Sequence, residues 1–173
     1  MTISTGAFLK NHYNSAAALG LKAVNSDFTL VIEGYEKNWL LCKQAPWAEL
    51  SPQGEIEFSL PNGAKGWQPQ QVATAQQGQV AFYETTTNFI DNMLIGFLAN
   101  TGLAAGSYAM FNCIVYEGTP ERHLGGRYYQ DCFVQMDPLD RDWENRSQPL
   151  MWSGTMFYHY FGEKIPANST DYR

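Results

Sequence analysis

The stretch Phe28-Thr29-Leu30-Val31-Ile32-Glu33 alternates large apolar side chains at positions 28, 30 and 32 with Thr29, Val31 and Glu33. A period of two sets Phe28, Leu30 and Ile32 on one face of an extended chain, so the segment reads as a half-buried strand that stops at Gly34. The same alternation returns at Ile56, Phe58 and Leu60, between Glu55, Glu57 and Ser59, ahead of the strong turn signal Pro61-Asn62-Gly63. Between these two strands, Tyr35–Asn38 reads as a turn and Trp39-Leu40-Leu41-Cys42 as the hairpin partner of the first. Ala45-Pro46-Trp47 ends that partner because proline cannot donate to a ladder, and a loop carrying Pro52 and Gly54 follows.

Gln68–Gln79 holds six glutamines and almost no large apolar side chain. It is loop or a polar-faced strand, and we read it as loop. Val80, Phe82 and Thr85–Thr87 restore strand character, and the period then changes to 3.6. Phe89, Ile90, Met93, Leu94, Phe97 and Leu98 form a helical stripe, with Asn88 as the expected cap and Gly102 as the expected stop. Met110–Glu117, a turn-rich Gly118–Arg127 and Tyr128–Met136 read as a long hairpin, followed by a charged loop, Asp137–Gln148. In the last element, Leu150–Phe161, Trp152, Met156, Tyr158 and Tyr160 share one face and Met151, Phe157 and Phe161 the other. A strand apolar on both faces needs cover on both, which assigns part of that cover to another subunit. Residues 1–26 mix small and polar types around Ala16-Ala17-Ala18-Leu19-Gly20 and read as an N-terminal arm; 27–163 read as one β-rich domain and 164–173 as a C-terminal tail.

With 173 residues the chain is long enough for one good core. Charged residues are only 16% of it, so its surface is largely Gln, Asn, Ser, Thr and Gly, a composition suited to contact with other subunits. The net charge of −6 has the wrong sign for gripping nucleic acid through its phosphates. Three widely spaced cysteines, Cys42, Cys113 and Cys132, give neither a disulfide framework nor zinc-ligand spacing, which points to folding in a reducing cytosol. Met1–Tyr13 lacks a secretory signal pattern, and no apolar run approaches the roughly 20 residues of a membrane helix. The sequons at Asn145 and Asn168 therefore read as chance matches.

Motifs that carry chemistry are missing. Leu124-Gly125-Gly126-Arg127 fits a hairpin tip better than a phosphate loop, and His12, His123 and His159 have no metal-ligand spacing. Asp137, Asp140, Asp142 and Glu144 lack the glycine and register of a calcium loop. There is no nucleophile elbow, and Ser153-Gly154 reads as a place where something packs closely. The tryptophans, Trp39, Trp47, Trp67, Trp143 and Trp152, suit core and interface roles more than sugar stacking. No catalytic, metal or cofactor residues are assigned, and the chain reads as a non-enzyme.

The order of pieces resembles the inner tail-tube proteins of contractile phages and, more distantly, the tube subunits of bacteriocins and type VI secretion systems. The similar run is Asp27–Glu33, Asn38-Trp39-Leu40-Leu41-Cys42-Lys43-Gln44-Ala45, the Pro46–Gly54 loop and Glu55-Ile56-Glu57-Phe58, then Val80–Glu84 with the helix around Asp91–Leu98 and the closing aromatic hairpin. Gln68–Gln79 and Lys164–Arg173 have no counterpart. The resemblance implies a mainly β fold, a β-sandwich or split barrel with one flanking α-helix, six copies per ring forming a large continuous β-barrel. It also implies stacked rings around a channel for DNA, which passes the acidic lumen without specific binding. The implied partners are further copies of the chain, a sheath outside, and baseplate and tail-terminator proteins at the ends, in a virion tail folded and assembled in the host cytoplasm. Pro46, Trp47, Glu49, Leu50, Trp67, Trp152, Phe157 and Tyr160 are the expected inter-subunit contacts. A baseplate or tail-completion ring of the same fold, and a carbohydrate- or receptor-binding β-sandwich, are the alternatives.

Overall fold

A computed structural model describes residues 6–18, 23–99, 110–139, 141–142 and 144–170. The first strand, β1 (Phe28–Ile32), forms where the alternation predicts, with Leu30 and Ile32 buried. Its expected hairpin partner is a correction. Glu36–Leu40 is a 3-10 turn, held by buried Asn38: its side-chain oxygen accepts the Ile32 N–H (3.1 Å) and its own N–H donates to the Tyr35 carbonyl (2.9 Å). A side chain that satisfies the backbone locally competes with a ladder, and here it turns the chain away from β1. The strand that follows is β2 (Cys42–Gln44), while Leu40 is left 67% exposed.

The hairpin of β3 (Glu55–Ser59) and β4 (Lys65–Pro69) turns through Pro61–Gly63, where Asn62 and Gly63 take φ of 71° and 78°, the left-handed region that turn residues tolerate. The reading of Gln68–Gln79 as loop is also corrected. Its first residues finish β4 and its last belong to β5 (Ala75–Tyr83), whose glutamines are tolerated because alternate positions face outward. Among the described residues the helices are α1 (Gly6–Ala18) and α2 (Phe89–Ala99), and the remaining strands are β6 (Phe111–Gly118), β7 (His123–Met136), β8 (Met151–His159) and β9 (Lys164–Ile165).

The fold is mainly β. The main sheet runs β1-β6-β7-β8-β5-β2, every pairing antiparallel, with β9 added beside β7. One strand makes both halves. Up to Cys132, β7 pairs with β6, and from Gln130 it pairs with β8. Both registers slip between residues 129 and 133, where Asp131 takes φ 48° and its N–H is met by the Asn112 side chain (3.3 Å). The extra residue is a β-bulge, which bends a strand and increases its twist.

Bending folds the two halves over one core. Leu30, Ile32, Phe111, Cys113 and Val115 come from one half, Val80, Phe82, Val134, Met156 and Tyr158 from the other, and Tyr129 stacks on Tyr158 at 4.5 Å between ring centres. Gly154 has the close neighbour expected of it: an added Cβ would overlap the backbone of Gln135 and Met136 on β7. Helix α2 lies against this core through Ile90, Met93 and Phe97, and Phe97 stacks on Phe111 at 4.7 Å. The expected stop of this helix, Gly102, lies outside the described residues, as do Asp140 and Trp143.

The cap of α2 is not Asn88, which sits at φ 54°. Glu84 does that work from the end of β5. Its Oε1 accepts the N–H groups of Thr85 (2.8 Å) and Ile90 (3.1 Å), and its Oε2 those of Asp91 (2.9 Å) and Trp152 Nε1 (2.7 Å). A carboxylate at a helix N-terminus satisfies orphan donors and meets the positive end of the dipole. Burial alone raises the pKa of Glu84, but the four donors outweigh it and hold the group below the ordinary glutamic-acid value.

A depressed folded pKa gives stability that is present above the unfolded value, about 4.3, and is lost as pH falls through the folded value. Glu84→Gln is expected to cost about 1–2 kcal/mol at neutral pH, the usual scale for a lost cap. Denaturant melts should show that gap narrowing as pH drops below about 4. An equal gap at pH 7 and pH 3 would refute the assignment.

Candidate functional site

Residues 45–50 cross the sheet as a loop, and three side chains from the strands hold it down. The Tyr129 hydroxyl accepts the N–H of buried Ala48 (2.8 Å) and donates to the Pro46 carbonyl (3.0 Å). The Gln76 amide bonds both ways with Glu49: its nitrogen donates to the Glu49 carbonyl (2.6 Å) and its oxygen accepts the Glu49 N–H (3.4 Å). Arg127 lies with its guanidinium carbon 4.4 Å from the centre of the Trp47 ring and pairs with the Glu49 carboxylate at 3.2 Å. Pro46 rests on Gly78, where an added Cβ would overlap the proline ring. A loop clamped at its backbone holds its outward side chains in place, here Trp47 (41% exposed) and Leu50 (47%).

Beyond Leu50 the chain leaves the body as a ribbon. The β3–β4 ladder continues toward its base through the Pro52–Val72 bridge and the bonds Gln53 N–H to Gln71 O (2.9 Å) and Ala73 N–H to Ser51 O (3.0 Å). Every residue of β3 is exposed. One ribbon face carries Ile56 (47% exposed) and Phe58 (41%), the Phe58 ring lying across Gly66; the other carries Trp67 (63%) opposite Glu57, which pairs with Lys65. A lone two-stranded hairpin is marginal in water, and apolar side chains on both of its faces mark a surface meant for cover.

The main sheet curls without closing. Its two edge strands, β1 and β2, leave between them an open groove of about 1110 Å³, lined by Phe28, Val115 and Glu117 on one side and Lys43, Gln44 and Trp47 on the other. Burial pushes the Cys42 thiol at this groove up to about 12, against smaller opposing effects of the Gln44 and Leu30 backbone. Cys113 is likewise pushed well up by burial, with the Cys132 sulfur 3.7 Å away. Thiols that stay protonated at neutral pH are poor nucleophiles. Among the described residues no three His, Cys, Asp or Glu side chains converge as a metal-ligand set.

The expected contact residues therefore separate into groups. Pro46, Trp47, Glu49 and Leu50 come together on the clamped loop, and Trp67 stands alone on the ribbon. Phe157 is half-buried on the outer sheet face, stacked on Phe133 at 4.8 Å. Trp152 points its N–H to Glu84, and Tyr160, only 2% exposed, packs edge-on against Tyr129 as part of the core. Tyr160 presents no surface to a neighbour. Reasoning from sequence missed the exposure of Ile56, Phe58 and Leu60, because alternation marks a face without saying whether anything lies over it. It also missed Gln76, Arg127 and Tyr129, which act on a loop distant in sequence.

No family model matches this sequence, and no curated protein matches it. Solved structures share the fold. A chain of the sheath–tube complex of an extracellular contractile injection system, in its extended state, matches with a TM-score of 0.57 at 11% identity, over 87% of this chain and 95% of that one. A chain of the cap that terminates the tube of the anti-feeding prophage matches at 0.56 and 11% identity, over 82% and 89%. A chain of the sixfold-symmetrised anti-feeding prophage baseplate matches at 0.53 and 12% identity, over 87% and 99%.

Tyr129→Phe removes the clamp's central hydroxyl and leaves the buried Ala48 N–H without an acceptor, a loss of about 1–3 kcal/mol. Hydrogen exchange should report faster exchange at residues 47–50 than in β6 of the same variant. Unchanged exchange there would show that the loop is held by something else.

Proposed function

We propose that this chain is a structural subunit of a contractile-tail tube. Copies assemble into hexameric rings, and the rings stack around the channel through which DNA is ejected. The observation that carries this reading is a fold shared almost end to end with chains of contractile injection particles, on a chain whose ribbon at residues 51–73 has both faces uncovered. The unclosed sheet supports it as well. Joining β1 and β2 edges to neighbours removes the free edges that make a lone sheet prone to aggregation, and a ring removes all of them.

In this arrangement the clamped loop and the ribbon meet the next ring, with Trp47, Leu50 and Trp67 as anchors. The outside contacts a sheath, and the ends meet baseplate and terminator proteins. The net charge of −6 lowers the residence of DNA in the lumen. The role is mechanical and the place of work is the tail of the particle. A second reading rests on a specific observation: cap and baseplate chains match about as well as the sheath–tube chain does, so a ring that does not extend is the nearest alternative.

Negative-stain microscopy with light scattering on the concentrated protein separates these. Straight hollow tubes or stacked rings are the expected result. Single rings that never stack would move the chain to a terminating or baseplate role, and a sharp monomer even beside a tail initiator would sink both. The double variant Ile56→Ser, Phe58→Ser should keep its stability within about 0.5 kcal/mol, because both positions are exposed, while losing the stacks.

A further inference from the structure

Asn62 and Gly63 stand at the tip of the β3–β4 ribbon and form the one Asn-Gly pair in the sequence. Such a pair can react with itself. The backbone nitrogen after an asparagine is a nucleophile close to the side-chain carbonyl carbon, and glycine, with no Cβ, puts nothing in its way. Both residues are exposed. A Cβ built on Gly63 would meet nothing within 4 Å, and the Asn62 amide has no hydrogen-bond partner among the described residues. Other asparagines are held at both amide atoms: Asn112 by Glu33 and the Asp131 N–H, Asn168 by the Glu121 carbonyl and the His123 N–H.

The turn acts as the gate. At φ 71° and ψ 21° the Gly63 nitrogen lies nearly eclipsed with the Asn62 nitrogen, away from the Asn62 side chain, and the bond from the Leu60 N–H to the Ala64 carbonyl (2.7 Å) closes the turn. Attack requires rotation about ψ, and so an open turn. A lone two-stranded ribbon, with every residue of β3 exposed, opens locally at little cost. A ribbon covered by a neighbour does not.

We infer that Asn62 is a site of spontaneous deamidation, active while the ribbon is uncovered. The Gly63 nitrogen gives its proton to solvent base and bonds to Asn62 Cγ, the Cγ–Nδ2 bond breaks, and ammonia leaves behind a cyclic succinimide. Water then opens the ring. Attack at Cγ restores the normal backbone as aspartate, and attack at the main-chain carbonyl carbon gives isoaspartate. Both products add a carboxylate to a ribbon whose one basic residue, Lys65, is already paired with Glu57. Isoaspartate also lengthens the backbone by one carbon, which breaks the closing bond of the turn. The link to assembly rests on the self-assembly reading above: copies that wait unassembled are altered at the surface they would use, and assembled copies keep Asn62.

The test incubates the full chain at pH 7 and pH 8, with dispersed and assembled fractions separated by sedimentation, and digests each with trypsin. In the dispersed fraction, peptide 44–65, whose one asparagine is Asn62, is expected to gain isoaspartate, read by isoaspartyl methyltransferase labelling. The gain should be at least tenfold faster than in peptide 23–37, which carries the exposed pair Asn25-Ser26. The rate should rise with pH, because the attacking nitrogen must lose its proton, and Asn62→Gln should abolish the signal. Conversion no faster than at Asn25, or without isoaspartate, would overturn the site. Assembled chain should react at least tenfold more slowly, and equal rates would overturn the link to assembly. A chain that stays dispersed yet converts at Asn62 would keep the site and remove the tube reading. Tubes formed beside dispersed chain whose Asn62 stays intact would do the reverse.

Discussion

One extra residue in β7 governs the shape of this protein. Asp131 sits in the left-handed region, opposite a register slip on both of its neighbours, and at that point the strand leaves β6 and joins β8. Without it a 14-residue strand would continue one flat ladder, and the apolar faces of the two halves would have no reason to meet. With it, Leu30 and Val115 face Val80 and Met156 across a single core, and the stack of Tyr129 on Tyr158 spans the bend.

The bend also sets where the outward features lie. Tyr129 stands just before the bulge, and its hydroxyl reaches the loop that crosses above it. Two residues earlier, Arg127 carries the Trp47 ring and the Glu49 carboxylate, while Gln76 on β5 fixes the Glu49 backbone. The clamped loop is thus tied to both halves of the sheet, and the ribbon grows from its end. A ribbon with so little core of its own takes its direction from that attachment.

Helix α2 and the C-terminal segment close the remaining gaps by the same economy of donors and acceptors. Glu84 ends β5, starts α2 and holds the indole of β8 with one carboxylate. Beyond β8, Ile165 covers Gly126 as β9 pairs along β7, and Asn168 bonds the His123 N–H (2.8 Å) and the Glu121 carbonyl (2.9 Å). The segment without a counterpart in the resemblance therefore completes the sheet.

The alternation at Phe28–Glu33, Ile56–Leu60 and Val80–Phe82, the 3.6 period from Phe89 and the turn at Pro61–Gly63 determined by themselves which elements form, because each depends on side chains a few residues apart. The sequence also held the hint that Gly154 is a close-packing point. Which strand lies beside which was decided only in three dimensions. The Trp39–Cys42 segment fails as a partner of β1 because Asn38 bonds the Ile32 N–H, and β1 instead finds β6 some 80 residues away. Gln76, Gln77 and Gln79 become strand because β8 supplies a ladder that local pattern cannot reveal. Alternation in β3 is as regular as in β1, yet β1 is covered and β3 is not, since burial belongs to what packs above a face and not to the face itself.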